Sequence, residues 1–308
     1  LMQLLVFLLK RLGWMLITVW VVFTLSFFLM RAIPGGPLNG ERVLSESVRA
    51  QLEQRYNLDD PLFVQYTTHL WNTICFDFGP SYKLQDFTVN EVLAQGFPVS
   101  AALGILGMTF ALLLGMTAGV VSAVCRTSIY DFSFMLLATL GIAIPSFVLA
   151  SMAIVLFVFY FQFFPAAGWG ELKQIVLPAM CLGAPFAGYI ARLTRTGMLE
   201  ILSNDYIRTA YAKGLSTRTV ILRHALRGSI LPVVSYLGPA CAGILTGSLV
   251  LEKIFAIPGM GSHFIEAALQ RDFTLGMGAL LTYTVLLYVM NTLVDLSYSI
   301  IDPRVVLE

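Results

Sequence analysis

The stretch "SNDYIRTAYAKGLSTRTVILRHALRG", residues 203–228, is polar, rich in small residues and basic. Asp205, Arg208, Lys213, Arg218, Arg223 and Arg227 carry charge in it, and His224 does so part of the time. Its surroundings decide what it is. The 308 residues are 57% hydrophobic and 12% charged, with a mean hydropathy of +0.80, whereas ordinary soluble domains are roughly 25% charged. The chain is therefore a membrane protein, and the polar stretch has to join two spans. A net charge of +1 argues against a nucleic-acid partner, which needs a surplus of Lys and Arg on one face.

A bilayer core about 30 Å thick takes roughly 20 apolar residues as a helix, which satisfies its own backbone hydrogen bonds there. Six stretches fit: 12–33, 97–124, 132–164, 175–191, 229–251 and 275–301. The third is long enough to tilt or to bend at Pro145. The fourth is short and carries Pro178, Gly183, Pro185 and Gly188, and the fifth carries Pro232, Gly238 and Pro239. Lys and Arg concentrate on one set of flanks: Lys10, Arg11, Arg126, seven residues of the 192–228 loop, and Arg304. The 165–174 and 252–274 loops hold one and two. This bias predicts that both termini are cytoplasmic and that 192–228 is an inner loop.

The expected organisation is a first span over 1–33, a small external subdomain over 34–96, and a five-helix core over 97–308. The external region has helix-like spacing over 44–56, turn signals at 59–61 and the sequence "DFGPSYK" at 77–83. The N-terminal apolar run is too long for a signal peptide and is expected to remain as a span. Cys75, Cys125, Cys181 and Cys241 lack metal-ligand spacing and read as small hydrophobes. No internal repeat or soluble catalytic domain is visible.

Within the opening stretch, Asn204 or Asp205 suits an N-cap, Tyr206 to Lys213 are good helix formers, and Gly214 suits the left-handed position after a helix. The result is a surface helix of about 12–14 Å. Ala210, Ala212 and Gly214 are small enough to admit another backbone, and Tyr206 and Tyr211 offer rigid contact area, which points to a protein partner. A second helix is expected from a capping Ser216 to Gly228. Its Arg223 and Arg227, one turn apart, read as arginines reaching lipid phosphates.

"YIRTAYAKGL…RHALRGSILP" resembles the cytoplasmic coupling loop of permease subunits in binding-protein-dependent ABC importers of the dipeptide/oligopeptide branch. The loop's usual Glu is absent, with Thr209 in its neighbourhood. The likeness extends through "PGGPLNGER" after the first span, "DFGPSYK", "PSF" at 145–147, "GPACAGILTGSLVLEKIFAIPGMG" at 238–261, "RDF" at 271–273 and the terminal "IDPR". The resemblance implies an all-α membrane protein with the six-helix type I ABC importer permease fold and a cytoplasmic coupling helix. Asp205, Tyr206, Arg208, Thr209, Ala210, Tyr211, Ala212, Lys213, Gly214 and Leu215 would then meet an ATPase. It also implies a bacterial inner-membrane assembly with a homologous second permease, two cytoplasmic ATPases and an extracytoplasmic peptide-binding protein. ATP and Mg would sit on the ATPases and no cofactor on this chain. Oligopeptides are the implied substrate, although the same apolar walls would suit dipeptides or nickel chelates.

Prolines at membrane depth break backbone bonds that neighbouring helices or a wet cavity must satisfy, so Pro145, Pro185 and Pro239 mark candidate pathway segments. Asp295 and, one turn earlier, Asn291 are either a polar contact on the route or a helix-packing pair near the interface. Gly115 and Gly119 form a GxxxG pair that permits close helix crossing, and Arg31 is expected to reach outward. "EKIFAIPGMGSHF", with Glu252, Pro258, Gly259 and Gly261, is either an external gate or docking rim or a plain connector. An ion-coupled transporter would call for paired membrane acids and a repeat, and an intramembrane hydrolase for GxSxG or HExxH. The sequence has neither set. It also lacks a GxxxxGK[ST] cradle for ATP.

Overall fold

The structure, a computed structural model, describes residues 2–33, 59–84, 86–246 and 248–301. The "PGGPLNGER" motif, the 44–56 spacing and "IDPR" beyond Ile301 lie outside the described residues. Those described are helical, with turns and a single bridge between Pro80 and Thr88. In chain order the helices are α1 (Met2–Ala32), α2 (Leu62–Ile74), α3 (Val89–Val124), α4 (Ile129–Ala143), α5 (Ser146–Tyr160, wound as π-helix over Ile154–Tyr160), α6 (Leu172–Leu202), α7 (Asp205–Ala212), α8 (217–229, π-wound over Val220–Ala225), α9 (Leu231–Thr246), α10 (Leu249–Ile254), α11 (Met260–Gln270) and α12 (Phe273–Ile301).

Four of these are long and apolar enough to cross a bilayer alone: Leu4–Ala32, Val89–Val124, Leu172–Leu202 and Phe273–Leu293. The expected third span is two helices, α4 and α5, inclined by 112°. The break falls at Pro145, which has no N–H to continue α4 and stands at the N-cap of α5. The fourth span runs well past its expected end, to Leu202, despite Pro178 and Pro185. The fifth is divided between α9, Leu231–Thr246, and α10, Leu249–Ile254. By length and composition, four of the described helices qualify as spans, or five with the bent α4–α5 pair counted as one.

The chain forms two compact units, one gathering residues up to Ser100 with Pro258–Thr292, the other built on Ala101–Ile257. In the first, Phe23, Phe27, Met277 and Leu281 make the core of α1 against α12. Tyr66 of α2 packs its ring edge-on to Phe27 at 5.3 Å, while its hydroxyl meets Thr24 Oγ1 (2.9 Å) and accepts from Trp20 Nε1 (3.1 Å). Arg31, the residue expected to reach outward, is engaged by α1 and α2. Its guanidinium lies 3.5 Å from the centre of the Phe27 ring and donates to Gln65 Oε1 at 2.7 Å, a cation–π contact and a hydrogen bond that hold it against α1 and α2. On α2, burial and then the nearby Arg31 push the His69 imidazole below its ordinary value.

The "DFGPSYK" and "RDF" motifs meet in this unit. Buried Asp272 accepts from Ser81 Oγ, from the backbone N–H of Tyr82 and Lys83 (both 3.2 Å), and from Leu275 N–H (3.1 Å). One carboxylate thus caps α12 and pins the loop before α3. Asn90 closes the other side of that loop, accepting from Phe78 N–H at 3.0 Å.

The second unit is organised by α6, which starts on a Glu171–Gln174 capping box and packs against α4, α5, α8, α9 and α10. Several of its contacts with α3 and α4 set glycine against a facing backbone carbonyl. A methyl group at Gly115 would lie 2.7 Å from Ala187 O, and one at Gly119 would lie 2.6 Å from Ala191 O and from Thr194 Cβ. Gly183 and Gly188 of α6 abut Gly107 O and Ala138 O in the same way. The GxxxG pair is thus a packing seam. Gly119→Ala should destabilise the chain by about 1–3 kcal/mol, because backbone cannot rotate out of the way. The midpoint of thermal unfolding in detergent should fall, while Gly13→Ala, which meets nothing within 4 Å, should leave it unchanged. Equal midpoints would remove the seam from this account.

Candidate functional site

The stretch 203–228 folds as the sequence spacing requires. Asn204 occupies the N-cap of α7 without a side-chain bond, and the helix covers Asp205–Ala212. It ends in a Schellman motif: Gly214 N–H donates to Tyr211 O (2.9 Å) and Leu215 N–H to Ala210 O (3.3 Å), with Gly214 at φ +79°. Ser216 then caps α8, accepting from Thr219 N–H at 3.4 Å.

Eight residues are too few for a helix to stand alone, so α7 depends on its seat. Ile207 and Ala210, three apart and therefore on one face, are buried with Ala123, Met198, Val220 and Ala225. Burying Ile207 contributes about 1.5–3 kcal/mol. Ala210 is thus small because α6 and α8 crowd it from within the chain, not because it faces a partner. Asp205, Tyr206, Arg208, Thr209, Tyr211, Ala212, Lys213, Gly214 and Leu215 are all exposed. Arg208 and Asp205 form a solvated pair at 3.5 Å, which adds little to stability. A methyl group added to Gly214 would meet nothing within 4 Å, so its glycine answers to the backbone angle rather than to a close approach. Arg223 and Arg227 are exposed, one turn apart on α8.

Beside this seat lies an ion pair that sequence spacing does not single out. Asp131, in the first turn of α4, takes a two-pronged bond from Arg195 of α6, Nε to Oδ1 and Nη2 to Oδ2, each 2.8 Å. It also accepts from Ser122 Oγ and from Thr127 N–H (3.0 Å). Its side chain is 9% exposed and that of Arg195 28%. Four donors from α3, the turn, and α6 thus converge on one carboxylate. The Ser128-x-x-Asp131 spacing is a helix-start signature that marks this junction; the partner 64 residues on has no local signal.

The pathway candidates fall on different elements. Pro145 is exposed at the α4–α5 break, Pro185 is half-buried within α6, and Pro239 is exposed on α9. Tyr189 of α6 and Tyr236 of α9, which no sequence signal marks, place their rings 5.5 Å apart. Asn291 and Asp295 are half-buried on α12. Of the external candidates, Glu252 is fully enclosed and accepts from Ser248 Oγ at 2.6 Å, so it offers no surface to a docking protein. Gly259 and Gly261 are buried and Pro258 is exposed. Met260 N–H donates to Ser100 Oγ (2.9 Å), and Gly96 leaves room for the 259–260 backbone.

Residues 91–307 match the family described as binding-protein-dependent transport system inner membrane component. The chain is 48% identical to the dipeptide transport system permease protein of Bacillus subtilis, over 98% of each chain. It is 43% identical to the oligopeptide transport system permease protein of Haemophilus influenzae and 42% identical to that of Escherichia coli, each over 97% of this chain and 98% of the relative. In fold it is similar to a chain of the inward-facing MetNI methionine ABC transporter, with a TM-score of 0.58 at 17% identity, over 68% of this chain and 96% of the other.

The ion pair should register as coupling in a double-mutant cycle of Asp131→Asn and Arg195→Gln. Each single change leaves an unpaired charge or donor, and the double change relieves part of that loss. A coupling of about 1–3 kcal/mol is expected from detergent unfolding midpoints, toward the lower end because Arg195 is partly solvated. Additive losses would show that the pair is incidental.

Proposed function

We propose a function on the premise that the chain belongs to the family of binding-protein-dependent transport system inner membrane components. It is the permease subunit of an ABC importer and a multi-pass protein of the inner membrane. Its cargo, on this reading, is a short peptide. The relatives are permeases for oligopeptides and for dipeptides, and the higher identity of the Bacillus dipeptide permease, 48% against 43%, favours keeping dipeptides within the range.

The observation that carries the mechanism is α7. A stub seated by Ile207 and Ala210, with its other faces exposed, is a coupling helix for an ATPase subunit. It faces the cytoplasm, as do both termini. Force arriving on Tyr206, Arg208, Thr209, Tyr211 and Lys213 passes through the buried seat to α6 and the Asp131–Arg195 junction, because packed surfaces transmit displacement by contact. The chain itself performs no catalysis; ATP and Mg belong to two partner ATPases. A second permease completes the route, to which this chain contributes α6 and α9 around Pro185, Tyr189, Tyr236 and Pro239. A peptide-binding protein docks outside, near Pro258.

Two measurements test this. The chain reconstituted with its ATPases, second permease and binding protein should import peptide with ATP, and the chain alone should not; uptake by the chain alone would refute the reading. In the complete assembly, Gly214→Val should reduce uptake about tenfold or more, since a β-branched residue is strained at φ +79° by roughly 1–2 kcal/mol and displaces the end of α7. Gly214→Asn, which tolerates that angle, should retain most activity. Equal uptake by both variants would dissociate the Schellman turn from coupling.

A further inference from the structure

Where α3 turns into α4, the second unit opens a cleft of about 570 Å³. Its polar end is made by Ser128, Asp131, Arg192 and Arg195, flanked by Thr127 and Thr196, and its wall along α4 by Phe132, Met135 and Thr139, whose hydroxyl is taken up by Met135 O. The charges in it do not cancel. Asp131 is engaged by Arg195, while Arg192, one turn earlier on α6, is exposed and meets no carboxylate among the described residues. One positive charge is left over.

The free donors point the same way. Arg195 binds Asp131 through Nε and Nη2, which leaves Nη1, on a guanidinium already held in place. Ser128 Oγ accepts from Asp131 N–H and keeps its own hydrogen to donate. Beyond Asp131, Phe132 is 65% exposed, and Met135 follows one turn on along α4. Polar groups at the end of a span and apolar ones toward its interior follow the order of head and tail in an amphiphile.

The geometry points to a binding site for an anionic phospholipid, its phosphodiester on Arg192, Ser128 and the spare Arg195 nitrogen, its acyl chain along Phe132 and Met135. Basic pockets between membrane helices at headgroup depth recognise anionic lipids by this chemistry. A single surplus charge suits a singly charged phosphodiester such as phosphatidylglycerol better than free phosphate, for which Phe132 and Met135 have no use. The assignment rests on the cleft alone and stands apart from the transport reading.

The test uses the intact transporter, equilibrated in vesicles of phosphatidylcholine and phosphatidylglycerol, extracted in mild detergent and analysed for bound lipid by mass spectrometry. The wild type should retain phosphatidylglycerol in preference to phosphatidylcholine. Arg192→Gln should lower that preference about tenfold, the worth of one charge-assisted contact, with phosphatidylcholine retention and the unfolding midpoint unchanged. Phe132→Ala should reduce retention of the lipid without altering its headgroup preference. Inorganic phosphate at millimolar concentration should not displace it. An unchanged preference in Arg192→Gln, an equal loss of both lipids, or displacement by free phosphate would overturn the assignment.

Discussion

Helices in a bilayer gain nothing from burying apolar surface against one another, because the lipid is as apolar as they are. Their attraction has to come from close packing, and in the second unit it comes from glycine facing carbonyl. Gly115 and Gly119 of α3 receive Ala187 O and Ala191 O, and Gly183 and Gly188 of α6 receive Gly107 O and Ala138 O. These approaches leave no room for a side chain, so α6 is held against α3 and α4 over several turns. Every other feature of the unit takes its position from that placement.

The C-terminal turns of α6 supply both the ion-pair partner Arg195 and the seat residue Met198. A helix fixed by backbone contacts along its span thus ends in a polar anchor and, a turn later, in an apolar socket. The socket accepts α7 through two side chains only, Ile207 and Ala210. So few inward residues leave nearly the whole surface of α7 free, and the helix is rigid through its surroundings rather than through its own stability. The Schellman turn at Gly214 then redirects the chain into α8, whose Val220 and Ala225 close the same socket.

Local signals are legible in the sequence and distant pairings are not. The limits of α7, the left-handed Gly214, the Ser216 cap and the GxxxG seam each depend on neighbours within a few residues, and each appears where spacing puts it. The family resemblance marks "DFGPSYK" and "RDF" as motifs, but nothing local tells that Asp272 holds a loop 190 residues earlier. The pairing of Asp131 with Arg195 is hidden for the same reason. Ala210 reads as a partner contact because a small residue serves close approach from either side, and only packing shows which. The division of the fifth apolar segment into α9 and α10 has no periodicity to announce it, since a run apolar on all sides carries little phase.

The buried carboxylates bear on how such a chain can do work. Asp131 holds four donors, Asp272 holds Ser81 Oγ and three backbone N–H groups, and enclosed Glu252 holds Ser248. A carboxylate that relays protons has to gain and lose them in alternation. Protonating Asp131 or Asp272 would weaken several charge-assisted bonds at once and release a helix end. Groups this heavily bonded serve as anchors. The buried carboxylates Asp131, Asp272 and Glu252 thus fix the geometry against which any movement of the chain has to work.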